Sequence, residues 1–476
     1  MKQVVIVGAG ISGLATAYRL RQICPAAAIT VLEGNQRPGG TIWTERRDGF
    51  QVEIGPNGFL DNKPFTLRLC QDLGLGGRLV PASEASGRNR YLLWKEKLEP
   101  LPRSLATFLT TPLLSWRGKV RLLAERWIRP HSSPSPLGGE GRVGEDESVD
   151  AFVRRRAGSE AAEVLADALV TGIYAGDPRL LSLPACFPRL AAYERECGSV
   201  IRGLVQEARR RRKDSAKNPE KSSNPRMWSF PDGLRLLIET LRDRLGSSLI
   251  CGAKVGRLEK TREGQLPPWI IHGEGQWPAD AVILACPAYQ QARILEQLDA
   301  ELAERIASIA YNRVAVVALG YRGTDVPGNL KGFGFIALQR LKRDILGVQW
   351  CTSIYPERAP GDMVLLRAMC GGWNRPDVVG WDDERLLGAV RAELQRTMRI
   401  TAEPVFHSIV RWDRAIPQYR LGHLELVARI EDRAERYPGL FLTGNAYHGV
   451  SLNDCTEQAE KLALKVGSFL SAGKTE

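Results

Sequence analysis

The sequence lacks the residue patterns of a metal or dithiol site. Its five histidines are scattered, and none of its nine cysteines is paired at the C-x-x-C spacing that zinc and redox sites favour. No apolar run approaches the roughly 20 residues that a membrane-spanning helix needs. The N-terminal residues run straight into a strand-like stretch, without the apolar segment of an export signal. These absences predict no metal, reduced thiols in a cytoplasmic protein, and no integral membrane span.

Basic residues outnumber acidic residues, 66 to 54, which gives a formal net charge of +12. Such a charge suits an anionic membrane surface, a polycarboxylate substrate or a nucleic acid. No nucleic-acid-binding motif accompanies it, so we expect no nucleic-acid partner. With 476 residues the chain is too long for one hydrophobic core. We therefore expect two or three domains.

Strand-like runs alternate with helical periodicity along most of the chain. The strand-like runs are 4–8, 29–33, 281–285, 313–319, 363–368 and 440–443, whereas helical periodicity dominates residues 149–212. This alternation predicts an α/β fold. Residues 131–147 are rich in Pro, Gly and Ser, which predicts a disordered surface insertion. The polar residues 209–224 indicate a solvated helix end and loop, with a basic membrane-contacting patch as the alternative.

The first strand-like run leads into a glycine turn and a helix, the order that a dinucleotide pyrophosphate site requires. Gly8 permits the tight turn, Gly10 lets the backbone approach the pyrophosphate, and Gly13 allows close packing of helix and strand. The next strand ends at Glu33, whose carboxylate can accept hydrogen bonds from a ribose hydroxyl. This spacing favours FAD or NAD over NADP. The predicted contacts are Gly8, Ala9, Gly10, Ile11, Ser12, Gly13, Glu33 and Gly34.

A second glycine segment follows Glu33 closely. Its sequence, Arg37-Pro38-Gly39-Gly40, resembles the R-x-G-G extension of the FAD-dependent amine oxidase superfamily and therefore favours FAD. Distant parts of the chain are expected to close the site, with the C-terminal helix pointing its positive end at the flavin. Trp412 is included among these parts, although it can equally be a buried structural residue. The further predicted contacts are Arg37, Gly40, Thr41, Gly55, Pro56, Asn57, Gly58, Val255, Trp412, Gly444, Asn445, Val450, Ser451 and Leu452.

Ordered blocks from one end of the chain to the other resemble the protoporphyrinogen oxidase family. They include DGFQVEIGPNGF at 48–59, GRNRYLLWKEKLEPLP at 87–102, IYAGDPRLLSLPACFP at 173–188, GFGFIALQRLKRDILG at 332–347, AIPQY at 415–419 and GNAYHGVSLNDC at 444–455. The block at 173–188 is the most specific, because it lies outside the generic FAD site. The resemblance covers the whole chain.

The resemblance implies one non-covalent FAD per chain and removal of six hydrogens from protoporphyrinogen IX. Molecular oxygen would be the acceptor, and hydrogen peroxide would be released. Cys455 is then a packing cysteine. The implied architecture is a Rossmann-type FAD-binding domain, a mixed-sheet substrate domain and a helical membrane-associating domain. We predict the FAD-binding domain at 1–85, 225–295 and 425–476, the mainly helical domain at 86–212 and the substrate domain at 296–424.

The resemblance also implies which residues bind the substrate. Arg90 matches a position that binds a propionate, for which a guanidinium is suited, although a surface arginine paired with an acid is the alternative. Gly172 matches a glycine whose backbone approaches the ring, or else it serves only helix packing. Ile336, Gln349 and Met369 match pocket-lining positions; the middle position is apolar in the family, and Met369 can also be plain core. No catalytic side chain is expected, because the hydride goes to flavin N5.

Residues 101–129 combine apolar side chains, two tryptophans and several arginines over a helical stretch. This pattern is typical of a segment in the membrane interface, although a packed helical hairpin has it too. The resemblance implies peripheral association with the inner face of the cell membrane and hand-over of product to a chelatase. A homodimer is left open. The alternative functions are coproporphyrinogen III oxidation, a flavin amine oxidase, and a flavin-binding protein without turnover.

Overall fold

The computed structural model describes residues 1–129, 146–217, 225–262, 265–328 and 330–472. The strands are β1 Gln3–Val7, β2 Ala28–Glu33, β3 Thr44–Arg47, β4 Phe50–Glu53, β5 Phe59–Leu60, β6 Val80–Pro81, β7 Arg90–Trp94, β8 Lys97–Pro100, β9 Met227–Ser229, β10 Leu249–Cys251, β11 Val255–Lys260, β12 Trp269–Gly273, β13 Gln276–Ala279, β14 Ala281–Leu284, β15 Val314–Arg322, β16 Gly334–Ala337, β17 Ile345–Trp350, β18 Met363–Gly371, β19 Phe406–Trp412 and β20 Leu440–Leu442.

Helices separate most of these strands. They are α1 Ile11–Ile23, α2 Phe65–Asp72, α3 Glu84–Arg88, α4 Leu105–Thr110, α5 Trp116–Leu123, α6 Val149–Ala157, α7 Ser159–Ala161, α8 Asp167–Tyr174, α9 Leu183–Cys186, α10 Pro188–Cys197, α11 Val200–Lys217, α12 Arg235–Leu245, α13 Ala288–Leu295, α14 Ala300–Ala307, α15 Cys351–Ile354, α16 Asp383–Met398, α17 His423–Ala434 and α18 Leu452–Ala472. Short 3-10 turns and one π-helical turn, Ala162–Ala166, connect some of them. The fold is α/β, as the alternating sequence pattern predicts.

A five-stranded parallel sheet forms the centre of the first unit, in the order β10-β2-β1-β14-β20. Its strands are apolar on both sides because both faces are covered, as parallel sheets require. One face packs against α1 and α18, and the other against the β11-β12-β13 sheet with α13, α14 and α17. Burial of each such side chain contributes about 1.5–3 kcal/mol. The carboxyl ends of β1, β2, β14 and β20 meet at one edge, where the glycine turns lie.

A seven-stranded mixed sheet forms the second unit, in the order β19-β15-β18-β17-β16-β7-β8. Only the β7-β16 pair is parallel. One face of this sheet packs against α16, through a row that includes Phe335, Val348 and Ala368. The opposite face is turned toward β4 and toward the loop that follows it. It is this opposite face that carries the substrate residues predicted from the sequence.

The predicted helical domain, 86–212, needs one correction. Residues Arg90–Trp94 and Lys97–Pro100 are strands β7 and β8 of the seven-stranded sheet, because their alternating side chains extend the register of β16. Helices α4 to α11 begin only after them. Residues 131–145 of the predicted insertion lie outside the described residues. Its last two residues are held by side-chain contacts, Asp146 to Ser182 and Glu147 to Arg155.

Candidate active site

The first glycine turn connects the end of β1 to the start of α1. Gly8 has φ +105°, and an ideal Cβ on it would lie 2.6 Å from the backbone nitrogen of Cys286. A Cβ on Gly13 would overlap the carbonyl oxygen of Gly8. Gly10 is different, since a Cβ there would meet nothing within 4 Å. The turn is therefore packed tightly behind Gly8 and Gly13 and open above Gly10, at the N-terminus of α1 where a phosphate binds favourably.

Glu33 lies at the end of β2, beside this turn. Its Oε2 accepts a hydrogen bond from the backbone N–H of Ala9 at 2.9 Å, and its Oε1 accepts from Asn35, from the backbone N–H at 2.9 Å and from Nδ2 at 2.6 Å. Because a carboxylate has about four acceptor positions, it retains capacity for a ribose hydroxyl. The backbone N–H of Ala253 donates to the carbonyl oxygen of Glu33 at 2.9 Å. This contact brings the chain just before Val255 beside the end of β2, where a Cβ on Gly34 would lie 3.4 Å from Cγ of Lys254.

The second glycine segment packs directly on the first. The backbone N–H of Gly39 donates to the carbonyl oxygen of Ala9 at 2.7 Å, and a Cβ on Gly40 would lie 3.7 Å from Cα of Gly10. The guanidinium of Arg37 stacks on Trp43. A Cβ on Gly55 would overlap the carbonyl oxygen of Thr41. The predicted segments 8–13, 37–41 and 55–58 therefore form one continuous surface.

The C-terminal segment closes the same edge through two residues that the sequence prediction missed. Buried Gln291 donates through Nε2 to the carbonyl oxygens of Cys286 at 2.6 Å and Thr443 at 2.9 Å. The hydroxyl of Tyr419 donates to the carbonyl oxygen of Asn445 at 2.6 Å and accepts from the N–H of Gly449 at 2.8 Å. Tyr419 lies within the AIPQY block, which is a usable signal, whereas nothing in the sequence singles out Gln291. The two side chains hold the segment containing Gly444, Asn445, Val450, Ser451 and Leu452.

Several features of this edge fit a flavin dinucleotide. The side chain of Asn57 is buried, and its Nδ2 has no hydrogen-bond partner among the described residues. The carbonyl and ring-nitrogen acceptors of an isoalloxazine would satisfy such a donor. The helix α18 begins at Leu452, which directs the positive end of its dipole toward the same edge. Burial raises the pKa of Cys455 to about 11, so this thiol is protonated near neutral pH.

The seven-stranded sheet aligns the predicted substrate residues by register. Arg90 on β7 lies opposite Gly334 on β16, and Gly334 lies opposite Gln349 on β17. Residues that face each other across strands, and residues two positions apart along a strand, have side chains on the same face. Ile336 and Met369 occupy the neighbouring row. All four predicted side chains, Arg90, Ile336, Gln349 and Met369, therefore lie on one face.

The fifth predicted residue joins them from above the sheet. A Cβ on Gly172, in α8, would lie 2.9 Å from Cδ1 of Ile336. The exposed Arg90 stacks on Phe333 and has no ion pair among the described residues, which disfavours its alternative as a surface arginine paired with an acid. Met369 packs beside Ala175, so a contribution to the core is also visible. The structure thus brings all five residues to one place.

This face meets the loop 55–58 through two side chains. The Nε1–H of Trp412 donates to the carbonyl oxygen of Ile54 at 2.9 Å, so this predicted cofactor residue fixes the loop through its backbone. Arg367 on β18 donates through Nη2 to the carbonyl oxygen of Gly55 and through Nη1 to Oε1 of Gln349 at 2.9 Å. Sequence reasoning missed Arg367, whose strand is otherwise apolar. A charged residue inside an apolar strand is the signal that identifies it.

A small group of buried charges lies behind the loop. Arg367 is only 3% exposed, and burial lowers the pKa of its guanidinium. The buried Glu53 lies close to both Arg367 and Arg358, with a distance of 3.4 Å between its Oε1 and Nη2 of Arg358. Burial raises the pKa of the Glu53 carboxyl, and Arg358 opposes that shift. Because two arginines face one glutamate, this group of buried side chains carries a net positive charge.

Comparisons with known proteins agree with this geometry. The sequence matches the family described as flavin containing amine oxidoreductase over residues 11–466. It is 32% identical to the chloroplastic protoporphyrinogen oxidase of Nicotiana tabacum, over 98% of this chain and 86% of that protein. It is 30% identical to the coproporphyrinogen III oxidase of Bacillus subtilis (strain 168), over 96% of both.

A solved structure from Exiguobacterium sp. 255-15, of a protein provisionally described as a protoporphyrinogen oxidase, has a TM-score of 0.81 to this chain. Its sequence is 29% identical, and the match covers 98% of both chains. The paired glycine turns, the substrate face and the family match over nearly the whole length describe one kind of protein. The chain is a flavin-dependent oxidoreductase that belongs to the flavin-containing amine oxidoreductase family, and within it to the group of protoporphyrinogen and coproporphyrinogen III oxidases.

Proposed function

We propose that this chain oxidises protoporphyrinogen IX to protoporphyrin IX with molecular oxygen as acceptor, releasing hydrogen peroxide. The observation that carries the proposal is the single sheet face shared by Arg90, Ile336, Gln349 and Met369, next to the loop 55–58. An apolar floor beside a fixed positive charge suits a large apolar ring with carboxylate substituents. The identity to curated porphyrinogen oxidases over nearly the whole chain supports the same substrate class.

The cofactor that we propose is one FAD per chain, bound non-covalently. Gly10 and the N-terminus of α1 would hold its pyrophosphate, Glu33 a ribose hydroxyl, and Asn57 an acceptor of the isoalloxazine. Bound flavin supplies two-electron acceptance of a hydride. Cys455 packs within the apolar cluster around α1 and α18, and this packing role supports non-covalent attachment.

The side chains of the substrate face have binding and orienting roles. Arg90 would pair with a propionate, and Ile336 and Met369 would exclude water from the ring. The absence of a side chain at Gly172 lets the ring approach α8 closely. Aromatisation of the macrocycle favours the reaction, so the proposal assigns no proton-abstracting side chain to the site.

The test compares initial rates of porphyrin fluorescence under air with protoporphyrinogen IX and coproporphyrinogen III as substrates. About three hydrogen peroxide molecules per porphyrin are expected, since six electrons leave in two-electron steps. A higher kcat/KM for protoporphyrinogen IX supports the proposal. A preference for coproporphyrinogen III would establish the alternative, which the polar Gln349 and the relatives of that name favour. Turnover of neither substrate would refute both.

We also propose peripheral binding to an anionic membrane surface at the cytoplasmic side. Within the described residues, no helix is both long and apolar enough to cross a bilayer. Exposed apolar side chains instead follow helical spacing along α5 and the turn after it: Trp116, Val120, Leu123 and Trp127, of which the tryptophans are 67% and 65% exposed. Arg117 and Arg126, both exposed, flank this stripe, as in helices that lie in a membrane interface.

Sedimentation with vesicles tests this membrane proposal. The wild-type chain should bind vesicles that contain phosphatidylserine, and the double variant Trp116→Ala, Trp127→Ala should lose most of that binding while retaining flavin. Equal sedimentation of both proteins would contradict it. We also propose a homodimer, which sedimentation velocity tests. Hand-over of porphyrin to a chelatase is a separate proposal, which transfer of the fluorescent product tests.

A further inference from the structure

Gln349 lies next to the row of the apolar Ile336 and Met369, on the same face of the sheet. Its side chain is half-buried, and its Oε1 accepts a hydrogen bond from Nη1 of Arg367 at 2.9 Å. Arg367 in turn is fixed by its second bond, to the carbonyl oxygen of Gly55. The carboxamide is therefore anchored on one side only, through its oxygen.

The chemistry of the pair fixes the orientation of the amide. A guanidinium has only donors, so the amide must present its oxygen to Arg367 and its NH2 group away from it. Among the described residues, no hydrogen bond satisfies Nε2 of Gln349. The NH2 group is thus a directed donor at the substrate face.

The register places this donor away from the other polar group of the face. Arg90 and Gln349 lie in one row, separated by Gly334, so their Cα atoms are two strands or about 10 Å apart. Each donor can therefore meet its own carboxylate, and the row offers two donor positions along one edge of an apolar floor.

We propose that Gln349 is a specificity-determining residue that donates a hydrogen bond to a second substrate carboxylate, distinct from the one that Arg90 binds. Arg367 is its positioning residue, because it holds the amide in the donating orientation. The proposal rests on the porphyrinogen function proposed above and makes binding depend on a second carboxylate at the edge of the ring that meets this row.

Binding of the oxidised porphyrin tests this without requiring turnover. The flavin-loaded wild type and the variant Gln349→Leu are titrated with coproporphyrin III and with its tetramethyl ester, and Kd is obtained from quenching of porphyrin fluorescence. We expect Gln349→Leu to weaken binding of the acid about tenfold and binding of the ester less than twofold, as a hydrogen bond to a charged group implies. Gln290→Leu is the matched control, since Gln290 is exposed on α13. It should leave both Kd values unchanged.

A second variant keeps the contact to Arg367 and replaces the NH2 donor that faces the substrate with an acceptor. In Gln349→Glu, one carboxylate oxygen still accepts from Arg367 while the other faces the substrate, so the acid should bind more weakly than to Gln349→Leu. Equal weakening of acid and ester in either variant, or unchanged binding of the acid, would overturn the proposal. So would a changed flavin spectrum in Gln349→Leu with unchanged porphyrin affinity, because the donor would then serve the flavin.

Turnover of porphyrinogens tests the proposed function separately from the role of Gln349. A wild type that shows the expected acid-selective binding but oxidises no porphyrinogen would refute the function and leave the role of Gln349 standing. A wild type that oxidises porphyrinogens and shows no effect at Gln349 would do the reverse. Failure of the wild type to bind coproporphyrin III would overturn the role of Gln349 alone, because the proposed function is read from turnover.

Discussion

The open space above Gly10 predicts that Gly10→Ala removes the cofactor without unfolding the protein. Gly10 has φ −70° and ψ 176°, a conformation that alanine adopts freely. Its added methyl group would meet no protein atom within 4 Å. It would instead occupy the position at the N-terminus of α1 where the pyrophosphate approaches the backbone.

Two opposing effects keep the change in apoprotein stability small. Alanine loses less backbone entropy on folding than glycine, which favours the variant by about 0.4–1 kcal/mol. At the N-cap of α1 alanine is disfavoured relative to glycine by a comparable amount, up to about 1 kcal/mol. The free energy of unfolding of the apoprotein should therefore change by less than about 1 kcal/mol. The wild type should gain about 2.7 kcal/mol from FAD at 100 times its Kd, and the variant should gain almost nothing.

Urea unfolding with and without added FAD measures both quantities, and flavin absorbance of the purified protein measures occupancy. Gly13→Ala is the contrasting variant, because its Cβ would overlap the carbonyl oxygen of Gly8. It should destabilise the apoprotein as well as lose flavin. Normal FAD binding by Gly10→Ala would refute the reasoning, since the pyrophosphate would then lie elsewhere.

Three other predictions concern residues around the site. Ala175 directly follows the last residue of α8 and has φ +44°. Ala175→Gly should therefore raise the free energy of unfolding, measured in urea, by about 1 kcal/mol, and a decrease would contradict the assignment of strain. Glu53→Ala should destabilise the protein by about 3–5 kcal/mol, because it leaves Arg358 and Arg367 buried without an acid, and a change below 1 kcal/mol would exclude a structural role for this group. Burial lowers the pKa of His423 to about 4. Between about pH 6.5 and 4 the unfolded chain therefore binds more protons than the folded chain. The free energy of unfolding should fall as the pH falls through this range, by at most about 3 kcal/mol. His423→Asn should remove that part of the pH dependence of urea unfolding; an unchanged dependence would show that other groups cause it.

Local sequence patterns predicted the first unit of the fold well. Strand, glycine turn, helix and strand follow one another in consecutive residues, so the predicted bounds of β1 and β2 are correct within one residue, whereas α1 begins three residues before the predicted start at Leu14. The predicted strands near 281 and 440 are confirmed, since buried parallel strands are short apolar runs, and the predicted strand near 363 is confirmed as an antiparallel strand of the mixed sheet. The sequence could not predict that β7 and β8 join a sheet with β16, because pairing with a strand more than 200 residues away imposes no local sequence pattern.

The residues of the site divide in the same way, into those that the local sequence predicts and those that depend on distant parts of the chain. The spacing of Gly8, Gly13 and Glu33 predicts their roles, and the structure brings the three residues together at one edge of the parallel sheet. Gln291, Tyr419 and Arg367 act by bridging segments that are distant in sequence, so no short window contains both partners. The row that joins Arg90 to Gln349 depends on strand register, which is fixed by packing of the opposite face on α16.

The alternation of side chains across the seven-stranded sheet separates two kinds of evolutionary freedom. Positions 335, 348 and 368 pack against α16 and are constrained by the volume of the core, whereas positions 336, 349 and 369 lie on the opposite face, where we propose that the substrate binds. Replacements at every second residue can therefore alter that face without changing the packing on α16. Insertion of one residue into β17 would exchange the two faces of that strand, so β17 should tolerate substitution far better than any change of length.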